Sequence, residues 1–229
     1  MLAAPFLGVL MLDTCFPRPV GDIGNPETFD RLGIPVRYST VAGASPQRVV
    51  RESDASLIAP FVAAAQALVA QGAVLLSTSC GFLARYQREL QLAVHVPIIS
   101  SSLLWLVSPL WNDERKRPYL GVLTIDAAAL DARQFHGVGA DPFTPVMGVA
   151  AGCEFQRQIM ANAATLDVAQ AERDVVAAAL SLLALHPEIT TLVLECTNMP
   201  PYAQAIRAAT GIRVEHIVSL IDLHWKTLP

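Results

Sequence analysis

Two cysteines, Cys80 and Cys196, stand where a thiol can take part in proton transfer. Each follows an apolar run of strand length and precedes residues that open a helix. A thiol at such a junction meets the positive end of a helix dipole and free backbone N–H groups, which lower its pKa below about 8.5. The matched pair therefore predicts two reactive thiols. Cys15 and Cys153 lack such surroundings and are interpreted as small buried residues, although Cys15 lies near the end of the first predicted strand.

The elements that must position these thiols form an alternating pattern. Apolar runs of strand length alternate with longer segments of helical period, which is typical of an α/β fold with mainly parallel sheets flanked by helices. Strands are predicted at residues 7–12, 35–40, 74–79, 96–100, 120–125, 145–149, 192–196 and 214–218. The strongest predicted helices cover 46–70 and 168–185, where apolar residues recur three and four apart.

An internal repeat divides the chain into two related halves. The sequence of residues 8–13, Gly-Val-Leu-Met-Leu-Asp, returns as Gly-Val-Leu-Thr-Ile-Asp at 121–126, and Cys80 and Cys196 are each followed by a tyrosine at the same distance. We predict two pseudo-symmetric lobes, the first formed by residues 1–102 with 217–229 and the second by residues 103–216. Ligands of open α/β sheets bind at the carboxyl ends of the strands, so both cysteines are expected to line one cleft between the lobes.

The composition excludes several classes of protein. The chain has 229 residues, 53% hydrophobic and 16% charged, with a net charge of -4, which excludes disorder and argues against a nucleic-acid partner. Its apolar runs are shorter than the roughly 20 residues that cross a membrane, so no membrane partner and a cytoplasmic location are expected. The cysteines form no CxxC pair and the histidines are not spaced as ligands, so no metal site is predicted.

With these motifs in place, the chain resembles the aspartate/glutamate racemase superfamily, which also contains hydantoin racemases, maleate isomerases and arylmalonate decarboxylases. The resemblance covers nearly the whole chain and depends on a first strand ending in an acid, on the motif Ser-Thr-Ser-Cys-Gly at 77–81, and on Glu-Cys-Thr-Asn at 195–198. It implies catalysis without a cofactor, on a small-molecule carboxylate, with an active site in the cleft between the lobes. It also leaves room for a homodimer.

The resemblance further implies a mechanism and a set of site residues. One cysteine thiolate removes the proton next to the carboxylate, and the other thiol delivers a proton to the opposite face, since racemisation needs an acid and a base on opposite sides of the carbon. Strand-end hydroxyls and backbone N–H groups would stabilise the negative charge that forms. The supporting residues expected for this site are Asp13, Thr14, Thr78, Ser79, Gly81, Phe82, Thr124, Thr197 and Asn198.

Departures from the superfamily pattern leave alternatives open. Gly81 and Asn198 stand where glutamate racemases carry Asn and His, which argues against strict glutamate racemase activity. Arg18, within the proline-rich segment 16–26, either pairs with a substrate carboxylate or is solvated. The main hypothesis is a racemase or epimerase, and hence an isomerase, acting on an amino acid or related carboxylate. The alternatives are a maleate isomerase-type or decarboxylase-type enzyme of the same superfamily and a two-lobed binding protein.

Overall fold

The first half of the chain forms one parallel sheet. The computed structural model describes residues 4–111 and 118–228. The strands of this sheet are β1 (Phe6–Leu12), β2 (Val36–Val41), β3 (Ala73–Thr78) and β4 (Ile98–Ile99). They are hydrogen-bonded in the order β2-β1-β3-β4, and all pairs are parallel. The α-helices of this half are α1 (Pro26–Asp30), α2 (Ile58–Ala70) and α3 (Gln87–Ala93).

The second half repeats this plan. Its strands are β5 (Leu120–Thr124), β6 (Val146–Gly148), β7 (Thr191–Leu194) and β8 (Arg213–His216), parallel and ordered β6-β5-β7-β8. Its α-helices are α4 (Ala132–Val138), α5 (Glu154–Met160), α6 (Val168–Leu185), α7 (Ala203–Thr210) and α8 (Ile217–Trp225). The first, second, third and fourth strands of each half therefore occupy the same positions in their sheets. The predicted two-lobed α/β fold is confirmed.

The central strands are continuous apolar runs because helices cover both faces of the sheets. Every residue of β1 and of β7 is buried. Cys80 follows β3 and Cys196 follows β7, so both cysteines lie at the carboxyl edges of their sheets. That placement brings the two strand ends to one region between the lobes.

The connection between the lobes is tied to the second sheet. The connection contains the 3-10 helix Ser102–Val107. Two of its side chains donate hydrogen bonds to the second lobe: Ser102 Oγ to the Leu194 carbonyl (2.6 Å) and Trp105 Nε1 to the His216 carbonyl (3.2 Å). The polar stretch predicted as part of this crossover falls at 112–117, outside the described residues. The lobe boundaries at 102/103 and 216/217 remain predictions.

One predicted helix is interrupted. The segment 46–70 forms a π-helix at Gln47–Arg51, a 3-10 helix at Ala55–Leu57 and then α2. Ser53 adopts a positive φ of 51°, which no α-helix accepts, and the Asp54 side chain caps the next turn by accepting from the Ser56 N–H. Within the described residues, no helix is long and apolar enough to span a bilayer.

Candidate active site

A partly open cavity lies between the two lobes where the carboxyl edges of the sheets meet. It has about 360 Å³ of empty space including its opening to solvent, and both lobes contribute to its wall. Apolar side chains form much of the wall, among them Leu12, Phe16, Val50, Phe82, Ile125 and Ile159. The polar residues of the wall are Ser79, Cys80, Glu195, Cys196, Thr197 and Asn198. Both predicted catalytic cysteines therefore face one small cavity.

Cys80 is held at the end of β3 in an extended conformation, and the 3-10 helix Gly81–Tyr86 begins directly after it. The side chain is 7% exposed. Burial, and to a smaller extent the charge of Glu195, raise the pKa of the Cys80 thiol to about 12, while the Phe82 N–H and the Arg18 guanidinium act in the opposite direction. Cys80 is therefore a neutral thiol at neutral pH.

Cys196 occupies the equivalent position after β7 and is equally buried. Its Sγ donates to Asn198 Oδ1 over 3.7 Å. Burial and then the nearby Glu195 carboxyl raise the pKa of Cys196 well above its usual value, and the Asn198 N–H opposes them only partly. A hydrogen bond donated by the S–H group favours the protonated thiol as well.

The predicted lowering of both thiol pKa values is wrong, because both values are raised. The helical turns that follow the two cysteines are short 3-10 segments, Gly81–Tyr86 and Pro200–Tyr202, which provide little helix dipole. Burial in an apolar cavity is the larger effect. Forming a thiolate in this cavity therefore costs free energy, because the charge has little water around it.

Glu195 is a site residue that the sequence analysis missed. Its side chain is completely buried, and its Oε2 accepts from Thr124 Oγ1 (2.7 Å). Its Oε1 has no hydrogen-bond partner among the described residues and lies against Gly81, where a Cβ would come within 2.3 Å of it. Burial raises the pKa of Glu195 to about 8, so the carboxyl is protonated at neutral pH. An acid at the end of an otherwise apolar buried strand was the available signal.

A buried polar chain extends from Cys196 into the segment 16–26. Asn198 Nδ2 donates to Asp22 Oδ2 (2.7 Å), and Arg18 forms a salt bridge with Asp22 Oδ1 (2.7 Å). Arg18 also donates to Thr14 Oγ1 (2.8 Å) and lies over the Phe16 ring at 4.5 Å. Arg18 is thus paired inside the protein rather than solvated. Asn198 connects the segment to the second strand end and positions Phe16 in the cavity wall.

Most of the hydroxyls that were expected to stabilise an oxyanion already donate hydrogen bonds to other groups of the protein. Thr197 Oγ1 donates to the Ser79 carbonyl (2.6 Å), Thr78 Oγ1 to the Ser100 carbonyl (2.7 Å), and Thr124 Oγ1 to Glu195. Ser79 Oγ accepts from the Leu12 N–H (2.8 Å) and lines the cavity, as do Gly81 and Phe82. The three threonine hydroxyls therefore fix the geometry of the strand ends and are not free donors.

Two further expectations are corrected by the positions of the side chains. Asp13 is exposed and accepts a hydrogen bond from the Gly43 N–H (3.0 Å). The Thr14 hydroxyl accepts a hydrogen bond from Arg18. Neither residue lines the cavity. The reason is that the chain turns outward directly after β1. Cys15 is exposed rather than buried, and its Sγ lies 3.2 Å from the Asn162 carbonyl.

Among the described residues, no group of His, Cys, Asp and Glu is arranged to hold a metal ion.

Comparison with known proteins gives relatives of one named activity. No protein-family model matches the chain. A dimethylsulfoniopropionate lyase of Durusdinium sp. clade D is 27% identical over 94% of this chain and 72% of its own length. Dimethylsulfoniopropionate lyase 5 of Emiliania huxleyi is 26% identical over 96% of this chain and 45% of its own length. The chain thus spans about half to three quarters of the length of these relatives.

Solved structures share the fold at low sequence identity. A cysteine variant of arylmalonate decarboxylase superposes with a TM-score of 0.62 at 16% identity, covering 97% of this chain and 91% of that chain. Allantoin racemase from Pseudomonas fluorescens gives 0.61 at 15% identity, with 97% and 90% covered. Glutamate racemase from Francisella tularensis gives 0.55 at 15% identity, with 97% and 80% covered.

These findings correct the predicted activity. The main hypothesis of a cofactor-independent racemase or epimerase, and with it the isomerase class, is wrong, because the curated relatives are named lyases. The findings agree better with the alternative hypothesis of a maleate isomerase-type or decarboxylase-type enzyme than with the main one, although the relatives are named for neither of these reactions. The fold that the resemblance implied is confirmed, because the chain has the two-lobed fold of arylmalonate decarboxylase and of the allantoin and glutamate racemases.

Proposed function

We propose that this protein is a carbon–sulfur lyase that cleaves dimethylsulfoniopropionate, or a closely similar sulfonium carboxylate, by β-elimination. The observation that carries the proposal is the similarity along almost the whole chain to lyases of that name. The cavity supports it, because two thiols from different lobes face the same narrow, mostly apolar space.

The chemistry requires one base. The substrate has hydrogens on the carbon next to its carboxylate and a dimethylsulfonium group on the following carbon. When a base removes one of these hydrogens, the electron pair of the C–H bond forms a carbon–carbon double bond. The carbon–sulfur bond breaks, and sulfur keeps its electron pair. The products are dimethyl sulfide, acrylate and a proton held by the base.

The surroundings of the two thiols favour Cys80 as this base. The Arg18 guanidinium lowers the pKa of Cys80, whereas the Asp22 carboxylate raises that of Cys196. The Cys196 S–H is also engaged by Asn198 Oδ1, while no described residue accepts a hydrogen bond from the Cys80 S–H. Cys80 therefore forms the thiolate at lower cost, and Cys196 serves as a neutral thiol in the opposite wall.

The apolar wall has two tasks in this reaction. It excludes water, so that the thiolate and the carbanion-like carbon are not protonated by solvent. The Phe82 ring also lines the cavity beside Cys80, and an aromatic face attracts a cationic group such as a sulfonium. A zwitterionic substrate can thus be held with its cationic end on the ring and its carboxylate toward the polar strand ends.

The proposal is tested by supplying dimethylsulfoniopropionate to the purified protein and measuring dimethyl sulfide in the headspace and acrylate in solution. We expect the two products in equal amounts. Cys80→Ser should lower the rate by about 10²–10⁴-fold, the usual contribution of a general base. Cys153→Ser is the matched control, since Cys153 lies at the start of α5 outside the cavity wall and should keep full activity. A folded wild-type protein that releases no dimethyl sulfide, or a Cys80→Ser variant of wild-type activity, would contradict the proposal.

A further inference from the structure

Glu195 carries a buried oxygen that the fold leaves without a partner. One carboxyl oxygen, Oε2, accepts from Thr124 Oγ1, so it acts as the carbonyl oxygen of a protonated acid. The other, Oε1, is the position of the acidic proton, and no described residue pairs with it. A buried polar atom without a partner is destabilising, which makes such an atom a candidate for contact with a ligand.

The position of Glu195 places this oxygen next to the reacting groups. Glu195 directly precedes Cys196, lines the cavity, and packs against Gly81, which directly follows Cys80. Its ionised form raises the pKa of both thiols, which shows that the carboxyl lies close to them. In a substrate whose reacting carbon faces Cys80, the carboxylate is one bond away and falls in the same part of the cavity.

Among the strand-end hydroxyls expected as donors, only that of Ser79, which accepts from the Leu12 N–H, donates to no described residue. The hydroxyls of Thr78, Thr124 and Thr197 donate to acceptors of the protein itself. Removal of a proton next to a carboxylate places additional negative charge on the carboxylate oxygens. A donor that is already neutral and fixed in a low-dielectric site stabilises this charge most effectively.

We infer that Glu195 is a catalytic hydrogen-bond donor that binds the substrate carboxylate through its protonated Oε1. The assignment rests on the proposed lyase function for its catalytic consequence, although binding of a carboxylate does not require that reaction. No covalent bond changes at Glu195: the proton stays on the acid, and the hydrogen bond strengthens as the substrate oxygen gains charge. If Glu195 served only the structure, its hydrogen bond from Thr124 would be enough, and the unpaired Oε1 would have no purpose.

The pH range of this binding follows from the groups around the acid. The thiols of Cys80 and Cys196 face Glu195, and both keep their protons well above pH 8 because burial raises the pKa of each. The charged pair of Arg18 and Asp22 lies beyond them and is joined to Cys196 through Asn198. Ionisation of Glu195, whose pKa burial raises to about 8, is therefore the event that ends carboxylate binding as pH rises.

The test measures binding of propanoate, the carboxylate skeleton of the proposed substrate without its sulfonium, by calorimetry between pH 6 and pH 9. For the wild type we expect a constant Kd below about pH 8 and about tenfold weaker binding at pH 9, with proton uptake on binding. In Glu195→Gln the amide still donates and does not ionise, so Kd should not change with pH. Ser102→Ala is the control, because Ser102 donates to the backbone of the same strand and not to the carboxyl.

A third variant separates donation from packing. Glu195→Leu fills a similar volume without a donor, and we expect a loss of at least about 10²-fold in lyase rate, whereas Glu195→Gln keeps most of the rate at pH 7. A Kd that is equally pH-dependent in Glu195→Gln, or no propanoate binding to the wild type at pH 7, overturns the inference. Binding with the expected pH dependence, without release of dimethyl sulfide, overturns the lyase proposal and leaves the assignment of Glu195 intact.

Discussion

The two strand ends that carry Cys80 and Cys196 share one backbone plan and differ in their polar surroundings. In both, the cysteine follows a buried strand after one intervening residue, and the N–H two residues later acts on the thiol. At position 198 an asparagine connects the thiol to Asp22, whereas the corresponding residue after Cys80 is Phe82. The repeated backbone supplies two thiol positions, and the divergent neighbours give them different chemistry.

The largest expected effect of this difference is on catalysis. Cys80→Ser should reduce lyase kcat/KM by about 10²–10⁴-fold. Cys196→Ser should reduce it by only about tenfold, because a serine hydroxyl can still donate to Asn198 Oδ1. The comparison is made on dimethyl sulfide release at one pH. If the two variants lose activity equally, the division of roles between the thiols is wrong.

The polar chain at Cys196 should contribute strongly to stability. Asp22 is almost fully buried and accepts from Arg18, Asn198 and the Gly24 N–H. Asp22→Ala leaves the Arg18 charge and the Asn198 amide without their partner, and we expect a loss of about 3 kcal/mol in the free energy of unfolding. Urea denaturation measures it. As a control, Arg133→Ala removes an exposed ion pair with Asp131, leaves the Asp131 cap of α4 in place and should cost much less.

The pH dependence of the lyase reaction should report Glu195 together with Cys80. Activity requires the Cys80 thiolate, whose pKa is about 12, and protonated Glu195, whose pKa is about 8. Below pH 8, kcat/KM should therefore rise about tenfold per pH unit, and above pH 8 the loss of the Glu195 proton should offset the gain in thiolate. In Glu195→Gln the rise should continue above pH 8. A wild-type profile that falls steadily from pH 6 would contradict this assignment.

The same carboxyl should give a smaller effect on stability. The pKa of Glu195 is raised from 4.5 to about 8, so between these pH values the folded protein holds a proton that the unfolded chain has lost. This contribution is complete below about pH 4.5 and is lost as pH rises through 8. Glu195→Gln should therefore be more stable than the wild type at pH 9, by more than about 1 kcal/mol. Thermal unfolding at pH 5 and pH 9 checks the sign.

The fold could be predicted well from the sequence because its elements have strong local signals. The buried parallel strands are continuous apolar runs, and α6 was predicted at its observed bounds because its alanines and leucines keep a helical period from residue 168 to 185. The helix predicted at 46–70 failed at Ser53, since a positive φ at a serine has no clear signal in the sequence.

The site was predicted in part, and the missing parts depend on long-range contacts. Cys80, Ser79, Thr197 and Asn198 could be placed in the cavity from their strand-end positions. The role of Asp22 could not, because it depends on a contact with a residue far along the chain. The thiol pKa values were predicted in the wrong direction, because sequence patterns show a helix start but not the desolvation that outweighs it.

The choice between a racemase and the proposed lyase could not be made from the sequence, for a physical reason. Racemisation and β-elimination begin with the same step, removal of a proton next to a carboxylate by a thiolate. What differs is the leaving group on the substrate, which the protein sequence does not contain. Similar strand-end thiols therefore predict the first step without deciding the second.

The most direct test of the account is an isotope comparison on the proposed substrate. Dimethylsulfoniopropionate with deuterium on the carbon next to the carboxylate is supplied to the wild-type protein, and dimethyl sulfide release is compared with that from unlabelled substrate. Because thiolate removal of that hydrogen accompanies or precedes carbon–sulfur cleavage, we predict slower release from the deuterated substrate or loss of its label to water. Equal rates with the label fully retained in the remaining substrate, or no dimethyl sulfide from either substrate, would contradict proton abstraction in this cavity as the basis of the activity.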